Sequence, residues 1–110
     1  MLVDSSALSQ QVVRDIVRSA FDSAGQRCSA LRLLCVQQDC YLTIREMLLG
    51  AMQQLQCGDP YALATDVGPV IDQQAQQHIQ QHIDRMREQG YRVHQLAQLA
   101  LSTAILSHQP

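Results

Sequence analysis

Cys28 lies in the run Ser23-Ala24-Gly25-Gln26-Arg27-Cys28-Ser29-Ala30-Leu31-Arg32, three residues past a glycine and flanked by two arginines. That context suits a nucleophile. A thiol attacks as its thiolate, and nearby cations or free backbone N–H groups favour that form, so Arg27 and Arg32 are the expected activators of Cys28. Ser29 follows directly and brings a hydroxyl able to donate one hydrogen bond to an anion. Each residue also has a plainer role to set beside this one. A lone cysteine commonly packs as a small hydrophobe, and a serine in a turn commonly satisfies its own backbone.

Other residues with chemical potential are less well arranged. Cys28, Cys35, Cys40 and Cys57 form no C-x-x-C pair, so zinc-ribbon and thioredoxin-type chemistry lack support, and free thiols in a reducing cytoplasm are expected. His78 and His82 share a helix face at i, i+4, but no glutamate follows His78 and no third ligand is evident, so a solvated face is expected rather than a metal site. Glu46 and Glu88, the only glutamates, fall within helical patterns and read as surface charges. The five glycines, Gly25, Gly50, Gly58, Gly68 and Gly90, are scattered. No glycine-rich turn opens a helix at a pyrophosphate site.

Four ordered blocks carry a family resemblance. The run around Cys28 resembles the G-Q-x-C nucleophile loop of the aldehyde dehydrogenase superfamily. Its fuller wording is similar to the L-glutamate γ-semialdehyde (1-pyrroline-5-carboxylate) dehydrogenase module of bacterial proline utilization A (PutA) proteins. Met1-Leu2-Val3-Asp4-Ser5-Ser6-Ala7 before it, then Leu31 to Gln37 and Gly68-Pro69-Val70-Ile71-Asp72 after it, resemble that family in the same order. The resemblance implies a catalytic cysteine at Cys28 that adds to an aldehyde, hydride transfer to NAD, and hydrolysis of the resulting thioester. It also implies that the Cys28 amide steadies the oxyanion and that Ser29 helps hold the substrate carboxylate.

The same resemblance marks what the chain lacks. The family's E-x-G-G base belongs upstream of the block at Met1, and its oxyanion asparagine and E-x-F-G-P-V ribose-binding segment have no counterpart here. The expectation is a fragment of a longer enzyme, inactive by itself and binding no NAD alone, with the aldehyde as the small-molecule partner of the full-length family. The competing reading is a non-catalytic helical interaction domain presenting Met-rich surfaces.

At 110 residues, the chain allows one small domain at most. Its 46% hydrophobic and 16% charged residues argue against disorder, and its formal net charge of -2 gives no footprint for nucleic acid or an anionic membrane. No apolar run nears the ~20 residues that cross a bilayer, and no leader pattern opens the chain, so a cytoplasmic protein is expected.

Helical spacing of Val12, Val13, Ile16, Val17, Ala20 and Phe21 predicts a helix over about 7–23, capped by Asp4-Ser5-Ser6 and ended by Gly25 at positive φ. Leu31 to Val36 reads as a strand covered on both faces, with Cys35 packed inside it. Ile44, Met47, Leu48, Ala51, Met52 and Leu55 predict a second helix from Asp39, stopped by Gly58-Asp59-Pro60. Tyr61 to Pro69 is irregular, and Asp72 opens a third helix whose apolar face is Ala75, Ile79, Ile83 and Met86. Gly90 ends it before a strand at 91–96. The predicted fold is α/β: a partial aldehyde dehydrogenase catalytic domain over residues 1–96, parallel strands with crossover helices in an incomplete sheet whose exposed edges favour self-association. Residues 97–110 depart from the family pattern and read as a divergent tail with Leu99, Leu101, Ile105 and Leu106 apolar.

Overall fold

The computed structural model describes residues 1–59, 61–95 and 104–107, the last four as backbone. Strand β1 (Leu2–Val3) leads to helix α1 (Ser9–Phe21), a tight turn (Asp22–Gly25) and strand β2 (Cys35–Val36). Helix α2 (Gln38–Gln53), helix α3 (Gln73–Glu88) and strands β3 (Arg92–Gln95) and β4 (Ala104–Ser107) complete the order. β1 and β2 pair in parallel, Leu2 opposite Cys35 and Val3 opposite Val36. The segment with Cys28 is therefore the return leg of a β-α-β unit.

The helices form where apolar spacing dictated, and they pack on that face. Val13 and Ile16 of α1 meet Ile44 and Leu48 of α2 in one cluster. Phe21 and Met52 continue it into a second, closed by Ala24, Val67 and Val70. Ile83 carries the buried face of α3, with Ala75 and Ile79 lying partly covered beside it. The connection between α2 and α3 is held by Asp66, whose carboxylate accepts from the Gln56 amide at 2.8 Å while Val67 N–H donates back to Gln56 O at 3.0 Å.

Several expectations need correction. The strand at 31–36 shrinks to Cys35–Val36, because Leu31 N–H donates to Ser19 O of α1 at 3.1 Å and the chain leans on that helix before reaching β1. Period-two alternation then turns Leu34 and Val36 inward and Leu33 and Cys35 outward. Cys35 is exposed, not packed. Asp4-Ser5-Ser6 does not cap α1, whose first turn has no side-chain cap. The Asp4 carboxylate instead accepts from the Ser6 hydroxyl and amide, which holds its pKa below the usual carboxylate range. α2 stops at Gln53, ahead of Gly58. β3 pairs antiparallel with β4, Arg92 opposite Ser107, so among the described residues this strand joins no parallel crossover and the strands form two separate pairs. Leu96, Leu99 and Leu101 lie outside the described residues.

Among the described residues no helix is long and apolar enough to cross a membrane.

Candidate active site around Cys28

α1 delivers the chain to this site and an unusual turn redirects it. Ser23, Ala24 and Gly25 all have positive φ, 55°, 53° and 69°. Glycine bears this conformation freely, whereas each L-residue with a Cβ costs roughly 1–2 kcal/mol there. Close packing favours it nonetheless, because Ala24 and Gly25 are buried against the end of α1. A Cβ on Gly25 would stand 3.0 Å from Ala20 O and 3.3 Å from Arg32 Nη1.

Cys28 and Ser29 are the central residues of the next turn, closed by Ala30 N–H donating to Arg27 O at 3.1 Å. Both are exposed, between buried Gly25 and buried Ala30. Among the described residues neither the Cys28 amide nor the Ser29 hydroxyl has a hydrogen-bond partner, so both donors are uncommitted. An exposed sulfur beside two free donors can add to a carbonyl and support the oxyanion that forms.

The two arginines do something other than expected. Arg32 Nη2 donates to Gly25 O at 2.7 Å. Arg27 Nη2 donates to Arg18 O at 3.2 Å and lies 3.7 Å from an Asp22 carboxylate oxygen. Both guanidiniums thus fasten the backbone of the helix end and the left-handed turn. Arg18 O also accepts from the Asp22 N–H that ends α1, so Arg27 adds a second donor to that carbonyl, as basic side chains near a helix C-terminus commonly do.

Sequence reasoning passed over Gln26. Its side-chain amide donates to Ser23 O at 3.0 Å and to Pro69 O at 3.4 Å, while its carbonyl accepts from Ile71 N–H at 2.6 Å. Two separate blocks of the sequence, Ser23–Arg32 and Gly68–Asp72, are tied together by this one residue. Only their shared family wording hinted at the contact.

Other candidates separate from the site. Cys57 is half-buried, and burial first, then the Asp66 charge, pushes its thiol pKa up. His82 Nδ1 accepts from the Arg85 guanidinium at 3.0 Å on the exposed face of α3. Among the described residues no three His, Cys, Asp or Glu side chains come together as a metal site. Glu46 and Glu88 are exposed.

NAD would need helix N-terminal amides following a glycine-rich turn. The N-cap of α1 is Leu8, that of α2 is Gln37, and that of α3 is Asp72, whose carboxylate already accepts from Ala75 N–H at 2.7 Å. An anionic cap repels pyrophosphate, and no helix start here follows a glycine-rich turn.

The aldehyde dehydrogenase family model matches residues 1–102. The bifunctional protein PutA of Salmonella typhimurium is 56% identical over 97 residues, 88% of this chain and 7% of that protein. The 1-pyrroline-5-carboxylate dehydrogenase of Geobacillus kaustophilus is 36% identical over 90 residues, 82% of this chain and 18% of that one. Among solved structures, a bifunctional proline utilization A protein superposes with a TM-score of 0.87 at 44% identity, covering 96% of this chain and 11% of that one. The chain thus spans a small part of the relatives it matches.

Proposed function

The chain belongs to the aldehyde dehydrogenase family, and from that membership we propose that it is the nucleophile-bearing segment of an enzyme oxidising L-glutamate γ-semialdehyde to glutamate in proline catabolism. The observation that carries this reading is the position of Cys28: an exposed thiol in a turn pinned by Arg32 and Gln26, with the Cys28 amide and Ser29 hydroxyl free beside it. The likeness to PutA and 1-pyrroline-5-carboxylate dehydrogenase supports the substrate. The Cys28 thiolate forms a bond to the aldehyde carbon, whose π electrons pass to oxygen. The Cys28 amide donates to that oxyanion, and Ser29 donates to the substrate carboxylate.

Completing the oxidation requires a hydride acceptor and a base that activates water, and the residues above supply neither. We therefore infer that this chain alone forms at most a reversible thiohemiacetal. Four free thiols suit a reducing cytoplasm. Leu2, in β1 and 85% exposed, and Leu33, two residues before β2 and 71% exposed, lie at the short parallel pair. They support association through that edge, which sedimentation velocity would register as oligomers. The alternative of a Met-rich interaction surface is weakened by Met52, which is buried between α1 and the Val67 segment.

The test is alkylation of the folded chain with iodoacetamide, with and without semialdehyde, alongside NADH formation. Cys28 is expected to react before Cys57 and to be protected by semialdehyde, with no NADH formed. Equal reaction of the two thiols and no protection would sink the nucleophile assignment. NADH that disappears in Cys28→Ala would overturn the inferred inactivity.

A further inference from the structure

We infer that Gln26 is a positioning residue for Cys28: its carboxamide clamps the left-handed turn onto the segment that leads into α3 and so fixes how the thiol is presented. The inference rests on the reading of Cys28 as the nucleophile, and its geometry is independent of that reading. One side chain makes three contacts on two segments more than forty positions apart, to Ser23 O at 3.0 Å, Pro69 O at 3.4 Å and Ile71 N–H at 2.6 Å. The backbone of Gln26 also donates to Ser23 O at 3.0 Å. Ser23 is therefore held twice at a φ of 55°, which an L-residue keeps only when its surroundings over-determine it.

The clamp needs a primary amide. Its nitrogen meets two carbonyls and its oxygen meets one N–H, so each half of the group finds its complement. A carboxylate in the same place keeps the bond to Ile71 but faces two carbonyl oxygens with no proton to give. An alanine loses both halves. Below the clamp, Val70 is buried with Phe21 and Ala24, so its far end is anchored in the core rather than on a free loop. Cys28 follows two residues later with no bond of its own among the described residues, which leaves its placement to Gln26, the closure of the Arg27–Ala30 turn and the Arg32 contact.

Because Gln26 is exposed, truncating it opens no core cavity, and the variants are expected to fold. The experiment compares wild type, Gln26→Ala and Gln26→Glu by amide exchange at Ile71 and by alkylation of Cys28 and Cys57 with iodoacetamide between pH 6 and 9. In Gln26→Ala, Ile71 exchange is expected to accelerate about fivefold for the one net hydrogen bond lost. The Cys28 rate should change at least about threefold, as expected for loss of part of one hydrogen bond, with Cys57 unchanged. In Gln26→Glu, Ile71 stays protected while the Cys28 rate shifts, because the carboxylate keeps the acceptor for Ile71 N–H and loses the donor to Ser23 O and Pro69 O.

Unchanged Ile71 exchange in Gln26→Ala overturns the inference, as does a Cys28 rate that moves only together with Cys57, since that reports general loosening. Should the alanine variant fail to fold, Gln26→Glu decides alone: an unaltered Cys28 rate at pH 7 overturns the clamp. Loss of semialdehyde protection in wild type would sink the nucleophile reading and leave the Ile71 measurement standing. An unchanged Cys28 rate in both variants would sink the clamp and leave the nucleophile standing.

Discussion

At the scale of single residues, Gly25 is closely constrained. Its φ of +69° strains any L-residue, and a Cβ would stand 3.0 Å from Ala20 O, a backbone atom that cannot turn aside. Gly90, at φ +89°, has nothing within 4 Å of the same position. Gly25→Ala is therefore expected to cost about 1–2 kcal/mol from backbone conformation plus a packing penalty, and Gly90→Ala the conformational part alone. Urea denaturation of the two variants checks this, and equal losses would show that the Ala20 contact carries no weight. The need for positive φ at Gly25 was legible in the sequence. Ser23 and Ala24 in the same conformation were not, since nothing in their chemistry favours it and only bonds from Gln26 and burial of Ala24 hold them there.

At the scale of elements, α3 is the helix with a defined start. Asp72 caps it through Ala75 N–H, and Arg85 and Arg87 sit in its last turn where cations suit the helix dipole. α1 and α2 lack side-chain caps and depend on packing against one another. Asp72→Ala is expected to lower stability by about 1 kcal/mol, and Asp72→Asn by clearly less, because asparagine caps nearly as well. Thermal melts followed at a helical wavelength measure the difference. Equal melting of wild type and Asp72→Ala would mean that α3 is held by its packed face, Ala75, Ile79 and Ile83, without help from the cap. The helix starts at Asp72, as its side-chain chemistry predicts, whereas Asp4 failed as a cap because Ser6 captures its carboxylate before the helix begins.

For the whole molecule, His94 is the group through which stability is expected to depend on pH near neutrality. Burial, then the Arg45 and Arg92 charges, hold its imidazole below the usual pKa, and Nε2 is buried without a partner. The unfolded chain takes up this proton at higher pH than the folded one. The stability associated with neutral His94 is accordingly full above about pH 6.5 and is lost as pH falls through the folded pKa. Urea midpoints measured from pH 7.5 to 5.5 should decline in wild type and flatten in His94→Gln. A decline of the same size in the variant would assign it to another group. Asp4 acts in a separate, more acid window, because its carboxyl is held down by Ser6 and its contribution disappears only as that carboxyl protonates.

The helices, their buried faces, the glycine at the turn and the candidate nucleophile can all be read from local order, because helical periodicity and backbone permissiveness are properties of neighbours in the chain. The family wording around Cys28 and at Gly68–Asp72 is equally local. Strand pairing is not: β2 reaches β1 only at Cys35 because Ser19 first draws Leu31 toward α1, and β3 turns antiparallel to β4 for want of a parallel neighbour among the described strands. Nor could charge alone say where Arg27 and Arg32 would point. In the folded chain the carbonyls of Arg18 and Gly25 lie within their reach and take up both guanidiniums. The junction at Gln26 depends on folding most of all, since a side-chain amide has no preference for residues more than forty positions away until the core around Val70 and Phe21 brings their backbone within reach.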